Sequence, residues 1–233
     1  MPDTGTGLAL ILGASRGLGL GLARELLGRG WHVIATERGG RAEPLHDLAA
    51  EAGGRLEIER ADINHPDQIE ALRGRLAGRS LDLLFVNAGV ANDPAETAGE
   101  VSTEEFTRIL VTNALSPLRA IEALAPLVPA GGVIGAMSSG LGSVANNESG
   151  GWEVYRASKA ALNTLLRSYA ARSRDSGHAL LLIAPGWVRT DMGGPDAALD
   201  VETSMRGVAG VIEARRGKAG LAYLDHRGQT VPW

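Results

Sequence analysis

Short apolar runs recur along the chain, and segments with apolar residues at three- and four-residue spacing lie between them. The runs at Leu8–Leu12, Trp31–Thr36, Leu56–Glu59, Leu81–Val86, Val133–Met137, Leu180–Ala184 and Gly220–Leu224 predict strands. The spacing predicts helices over Leu18–Gly28, Ala42–Ala52, Pro66–Leu76, Thr103–Leu127, Val154–Ser173 and Val201–Ala214. The first helix ends at Gly28-Arg29-Gly30, and the third opens with Pro66 in its first turn. Strands that alternate with helices and are nearly all apolar imply a parallel sheet covered on both faces. Right-handed crossovers then give an α/β, Rossmann-type, doubly wound sheet of about seven strands, whose ligands bind beyond the carboxyl ends of the strands.

Composition narrows the possibilities without adding chemistry. The 233 residues are 44% hydrophobic and 21% charged with a net charge of −4, and no break in composition divides them, so 1–233 is expected to form one domain. No basic patch argues for a nucleic acid or an anionic membrane as partner. There is no cysteine, which excludes disulfides, thiolate chemistry and Cys-ligated metal. The five histidines, His32, His46, His65, His178 and His226, form no paired ligand motif, so no metal is expected. No apolar run is long enough for a signal sequence or a membrane span, and a cytoplasmic location is expected.

Chemistry enters at the strand ends. Directly after the first strand comes Gly13-Ala-Ser-Arg-Gly17-Leu-Gly19, opening a helix. Glycines there permit a tight turn and close backbone approach, so that a pyrophosphate can rest on helix N-terminal amides. The spacing G-x-x-x-G-x-G departs from the common G-x-G-x-x-G, because Leu22 stands three residues after Gly19. The second strand runs into Glu37 and Arg38. Glu37, 18 residues beyond Gly19, would accept from ribose hydroxyls and favour NAD, whereas Arg38, helped by Arg16, would bind a 2′-phosphate and favour NADP. Side-chain direction decides between them. Tyr155 and Lys159 stand at i and i+4, which places a phenol and an ammonium on one helix face, an arrangement suited to proton transfer.

Asn87-Ala88-Gly89 follows the fourth strand, Ser138-Ser139 ends the fifth, and Pro185-Gly186-Trp187-Val188-Arg189-Thr190 follows the sixth, with Asn113 between. Taken in order, these motifs closely resemble the short-chain dehydrogenase/reductase family over about Leu8 to Leu224. The finer pattern, including the closing Val-Pro-Trp, is similar to the subgroup of C-factor-like proteins and sniffer-type carbonyl reductases. The resemblance implies an NAD(P)-dependent oxidoreductase acting on a small carbonyl or alcohol substrate. Tyr155 would be the general acid/base, Ser139 would orient the substrate oxygen, Lys159 would lower the phenol pKa and hold the nicotinamide ribose, and Asn113 would position a water. Gly13, Ser15, Arg16, Gly17, Leu18 and Gly19 would contact the phosphates or adenosine ribose, and Asp62 with Ile63 would edge the adenine. Asn87, Ala88 and Gly89 would line the ribose side, and Pro185, Gly186, Val188 and Thr190 the nicotinamide end. The helices bearing Asn113 and Lys159 resemble those of the family's dimer contact, implying a homodimer or homotetramer. Because some members of the subgroup are discussed as signalling proteins, a dinucleotide-binding regulatory protein is the alternative function.

Departures from the family pattern locate the open questions. Leu12 stands where a Thr is usual, removing a side-chain hydrogen bond from the turn. Fifteen residues separate Ser139 from Tyr155, and the polar, glycine-rich stretch 140–152 is expected to form a loop beside the substrate pocket. Ser138 and Ser143 rival Ser139. Trp152, Trp187 and Met192 fit either a pocket wall or packing against the core or a partner subunit. Gly193-Gly194-Pro195-Asp196, within a second substrate loop near 191–200, reads either as the hinge of a short lid or as a plain turn.

Overall fold

The computed structural model describes residues 7–233. Its seven strands are β1 (Leu8–Leu12), β2 (His32–Glu37), β3 (Leu56–Arg60), β4 (Leu83–Val86), β5 (Val133–Met137), β6 (Ala179–Ala184) and β7 (Gly220–Asp225). All six pairings are parallel, in the order β3-β2-β1-β4-β5-β6-β7. The helices are α1 (Gly17–Gly28), α2 (Glu43–Glu51), α3 (Pro66–Arg75), α4 (Thr103–Leu110), α5 (Ser116–Leu124), α6 (Glu153–Arg172) and α7 (Val201–Arg215). Successive side chains of a strand face opposite ways, so both faces of a sandwiched sheet must be apolar. Leu10 and Leu12 of β1 accordingly join one core with Ile121, Leu162 and Leu166, while Ala9 and Ile11 join the other with Leu22, Phe85 and Val208. Among the described residues, no helix is long and apolar enough to cross a membrane.

The sheet winds outward in both directions from the junction of β1 and β4, which opens a crevice at their carboxyl ends. The register sets Leu12 beside Val86, and the amides of Asn87 and Ala88 both donate to the Leu12 carbonyl at 3.0 Å. The two glycine-containing turns therefore lie side by side.

One predicted helix is broken. The pattern over Thr103–Leu127 resolves into α4, a π-helical turn at Val111–Leu115, α5 and a 3₁₀ turn at Ala125–Leu127. Pro117 accounts for the wide turn. Proline lacks an amide hydrogen, and its ring collides with the carbonyl four residues back, here that of Asn113. The helix widens instead, and the Ser116 amide reaches back five residues to the Val111 carbonyl.

Candidate active site

Gly13 leaves β1 at φ +87°, and a Cβ added there would stand 2.9 Å from the Cα of Ala88. Its amide donates to the Thr36 hydroxyl at 2.9 Å, so β2 supplies the side-chain acceptor that Leu12 cannot. Its carbonyl accepts from Asn87 Nδ2 at 2.7 Å. Gly19 fills no part of the crevice wall and acts beneath it: a Cβ there would lie 2.1 Å from the Gly13 oxygen. Helix α1 begins with no side-chain cap and no acidic residue in its first turn. Its first amides are therefore left for an external acceptor, and an anion is the complementary one.

The register of β2 separates Glu37 from Arg38. Thr36 and Arg38 line the cleft, while Glu37 points to the other side and is buried. The Glu37 carboxylate accepts from the Ala42 amide at 2.9 Å and lies 3.3 Å from His46 Nε2. The Ala42 amide holds it below the usual carboxylate range, overcoming its burial, with His46 adding to the effect. Glu37 thus anchors the start of α2 and does not read a ligand in this cleft. Asp62 and Ile63 line the same end.

The chemistry-bearing side chains converge on the other end of the cleft, whose volume is about 800 Å³. Ser139 follows β5, and Tyr155 and Lys159 project from the first two turns of α6. Lys159 is buried and donates to the Met137 carbonyl at 2.8 Å, with its ammonium 5.7 Å from the Tyr155 ring centre. Burial pushes the phenol up to about 12, against a smaller opposing effect of the Ser139 hydroxyl. Burial also pulls the Lys159 ammonium down to about 8. This reverses the expected direction for Tyr155: desolvation, which disfavours the charged form, is the largest influence on it.

Asn113 is fully buried in the π-helical turn and does not face the cleft directly. Its Oδ1 accepts from the Val90 amide at 2.8 Å, and its Nδ2 donates to the Val90 carbonyl at 2.8 Å and the Ser158 hydroxyl at 2.9 Å. With the side chain committed in this way, Asn113 ties the turn after β4 to α6. Gly89 sits between, where a Cβ would be 3.3 Å from Asn113 Oδ1 and 3.4 Å from Lys159 Nζ.

The rival serines are otherwise engaged. Ser138 Oγ donates to Asn163 at 2.7 Å, and Ser143, whose Oγ accepts from the Asn146 amide at 3.2 Å, is buried away from the cleft. Ser139 Oγ accepts a 3.1 Å bond from the Leu141 amide and faces the cleft beside Tyr155, where its hydroxyl can donate to an incoming oxygen. Trp187 and Met192 are 58% and 40% exposed, and with Trp152 they line the cleft. Trp187 Nε1 donates to the Gly193 carbonyl at 2.8 Å, pinning the segment read as a hinge. Ser15, Arg16, Gly17, Leu18, Asn87, Ala88, Pro185, Gly186, Val188 and Thr190 also line the cleft.

Several lining residues carry no local sequence signal. Val90, Asn64 and Thr112 come from neighbouring turns, and Asp225, His226, Arg227 and Val231 arrive because the chain folds back after β7. Tyr223 of β7 donates its hydroxyl to the Ser139 carbonyl.

Comparison with known proteins agrees with this geometry. The family model for short chain dehydrogenases matches residues 7–198. The chain is 39% identical over 155 residues to the C-signal protein of Myxococcus xanthus, covering 66% of this chain and 93% of that one. A crystal structure from Burkholderia multivorans, assigned as a short-chain dehydrogenase/reductase with bound NADP, is 57% identical with a TM-score of 0.96, covering 98% of this chain and 100% of that one. The carbonyl reductase Sniffer of D. melanogaster is 32% identical with a TM-score of 0.88, over the same 98% and 100%.

Proposed function

The chain belongs to the short chain dehydrogenase family, and from that premise we propose that it is an NADP-dependent reductase of small carbonyl compounds whose proton donor is Tyr155. The observation that carries the reading is the convergence of Ser139, Tyr155 and Lys159 at one end of a cleft whose other end has an uncapped helix N-terminus and the side chain of Arg38. The cleft fits a nicotinamide dinucleotide. The Gly13–Gly19 turn and the first amides of α1 would hold its pyrophosphate, Arg38 and Arg16 its 2′-phosphate, and Lys159 its nicotinamide ribose. Asn87 to Gly89 and the segment from Pro185 to Thr190 would flank its ribose and nicotinamide. NADP is favoured over NAD because Glu37 is turned away and Arg38 faces the cleft. The NADP-bound structure from Burkholderia multivorans supports the same choice. When bound, the cofactor supplies hydride.

The protein's own groups handle the oxygen and the proton. Ser139 donates a hydrogen bond to the carbonyl oxygen, stabilising charge as it develops there. Tyr155 holds its proton throughout the neutral range and delivers it to that oxygen. Lys159 sets a positive charge beneath both, and Asn113 fixes the backbone over which they lie. The loops 140–152 and 191–200 enclose the substrate end of one domain. A cytoplasmic homodimer or homotetramer built on α4, α5 and α6 is part of the proposal, and Phe106 of α4, 39% exposed, is an apolar side chain such a contact would cover.

Tyr155→Phe is the direct test, read by the absorbance of reduced nicotinamide with a panel of carbonyl compounds. Turnover is expected to fall by about 10²-fold or more while NADPH affinity stays within about twofold, as loss of a general acid requires. Undiminished turnover refutes the role. NADPH binding by the parent protein with no consumption across the panel would favour the regulatory alternative that the C-signal relative brings into view.

A further inference from the structure

Trp152 is the one residue other than glycine with positive φ among the described residues, at φ 54°. It follows Gly150 at φ 66° and Gly151 at φ 67°, so three consecutive residues are left-handed. For a residue with a bulky side chain this conformation is unfavourable and persists only where the surroundings impose it. The residue that imposes it is Arg156. Its guanidinium is buried, and all its bonds go to neutral acceptors in that segment: Nε to the Gly151 carbonyl at 2.8 Å, and Nη2 to the Gly150 carbonyl at 3.1 Å and the Ser149 hydroxyl at 3.2 Å. The other side of the segment is tied as well. The Trp152 amide donates to the Pro94 carbonyl at 3.1 Å, and the Glu153 carboxylate accepts from the Ala98 amide at 2.8 Å.

What this brace holds in place is an indole on the substrate side of the cleft. The Trp152 ring meets the Tyr155 ring edge to face, with centres 5.7 Å apart and planes at 64°. Leu141, Trp187, Met192 and Val231 line the same cleft, and the lining residues Arg189, Asp191, Asp225 and Arg227 are in ion pairs, Arg189 with Asp200, Asp191 with Arg16 and Arg227 with Asp225. We infer that Arg156 is a positioning residue that holds Trp152 as the specificity-determining wall of the pocket, selecting flat apolar carbonyl compounds over small aliphatic ones. The inference rests on the reductase reading, and it assigns to Arg156 a task separate from proton or hydride transfer. A brace made of carbonyl acceptors needs a donor of fixed fork geometry, which arginine has and lysine supplies only in part.

The test compares 2-naphthaldehyde with propanal as substrates for Arg156→Met, Arg156→Lys, Trp152→Ala and the double variant Arg156→Met/Trp152→Ala. Arg156→Met is expected to raise KM for 2-naphthaldehyde about tenfold, with kcat for propanal and NADPH affinity little changed, a size of effect typical of an apolar wall. Arg156→Lys should recover part of the loss, and the double variant should be no worse than Trp152→Ala, because Arg156 acts through Trp152. An unchanged preference in Arg156→Met overturns the inference, as does an equal loss for both aldehydes. If Arg156→Met does not fold, Trp152→Ala must still abolish the preference. Binding of 2-naphthol, followed by quenching of tryptophan emission, reads the wall without turnover. If the parent protein binds 2-naphthol but reduces neither aldehyde, the reductase reading fails and the wall stands; if Trp152→Ala binds 2-naphthol as the parent does, the wall itself is refuted.

Discussion

Replacing Gly19 by Ala tests whether the turn after β1 is a built cradle or an ordinary connection. The added Cβ would lie 2.1 Å from the Gly13 oxygen, 2.6 Å from Asn87 Nδ2 and 2.9 Å from the Ala14 Cα. Two of these atoms are backbone, and the third is held by its 2.7 Å bond to that same oxygen, so none can yield cheaply. Reaching ordinary contact requires the Gly13 carbonyl to retreat by more than 1 Å. Overpacking of this kind costs about 1–3 kcal/mol. Loss of the Asn87 bond adds about 0.5–1.5 kcal/mol. Alanine's better helix propensity returns about 1 kcal/mol. The net is a loss near 2 kcal/mol, which for a chain of this size lowers Tm by about 4–8 °C.

Gly74→Ala is the matched control. Gly74 lies inside α3, exposed and without positive φ, and a Cβ there meets nothing within 4 Å. That substitution should raise stability by about 0.5–1 kcal/mol. Thermal denaturation of both variants, with NADPH titration by fluorescence, gives the answer. Gly19→Ala should also weaken NADPH by about tenfold or more, a change of about 1.4 kcal/mol. A Tm for Gly19→Ala at or above that of Gly74→Ala, with unaltered NADPH binding, would refute the cradle.

Arg38→Ala should weaken NADPH by about 10-fold or more, as loss of a charge-assisted contact to phosphate implies, and leave NADH within about twofold; equal effects on the two cofactors in a binding titration would remove Arg38 from the 2′-phosphate site. Lys159→Met should be more stable relative to the parent at pH 7 than at pH 10, by up to about 3 kcal/mol. The sign follows from its depressed pKa of about 8: below that value folded and unfolded chains both carry the ammonium and the folded state bears the full desolvation cost, which is relieved as pH rises toward the unfolded value of 10.5. Urea melts at both pH values check this, and a constant difference between the two proteins would refute it.

The sheet was legible because its inner strands are buried on both faces and therefore read as unbroken apolar runs between amphipathic helices. The predicted strand starts at Trp31 and Leu81 fall one or two residues early because both side chains are buried just before their strands, and burial alone sets the apolar pattern. The break at Val111–Leu115 did have a signal, Pro117, masked by apolar spacing that continues across it. The choice between Glu37 and Arg38 could not be read, because a strand's facing depends on its register against its neighbours. Thr36 and Val231 reach the cleft only through that register and the return of the chain after β7. The spacing of Tyr155 and Lys159 gave their shared face and said nothing of their burial, which is why the direction of the phenol's shift was misread.

That burial bears on how the site holds its proton. Reduction needs a proton on Tyr155, and a phenol raised to about 12 keeps one at every physiological pH. Oxidation needs the phenolate, which desolvation opposes and which only a nearby cation can favour. The cation the chain provides is Lys159, and it loses its charge above about 8, well before the phenol ionises. Raising pH to generate the base therefore removes the charge that would stabilise it. Ser139 serves either direction, since a hydroxyl can donate to the oxygen of a carbonyl, an alkoxide or an alcohol alike. Both directions pass through one transition state, so Tyr155 must serve as acid in one and as base in the other, and it is the second task that depends on Lys159 keeping its charge.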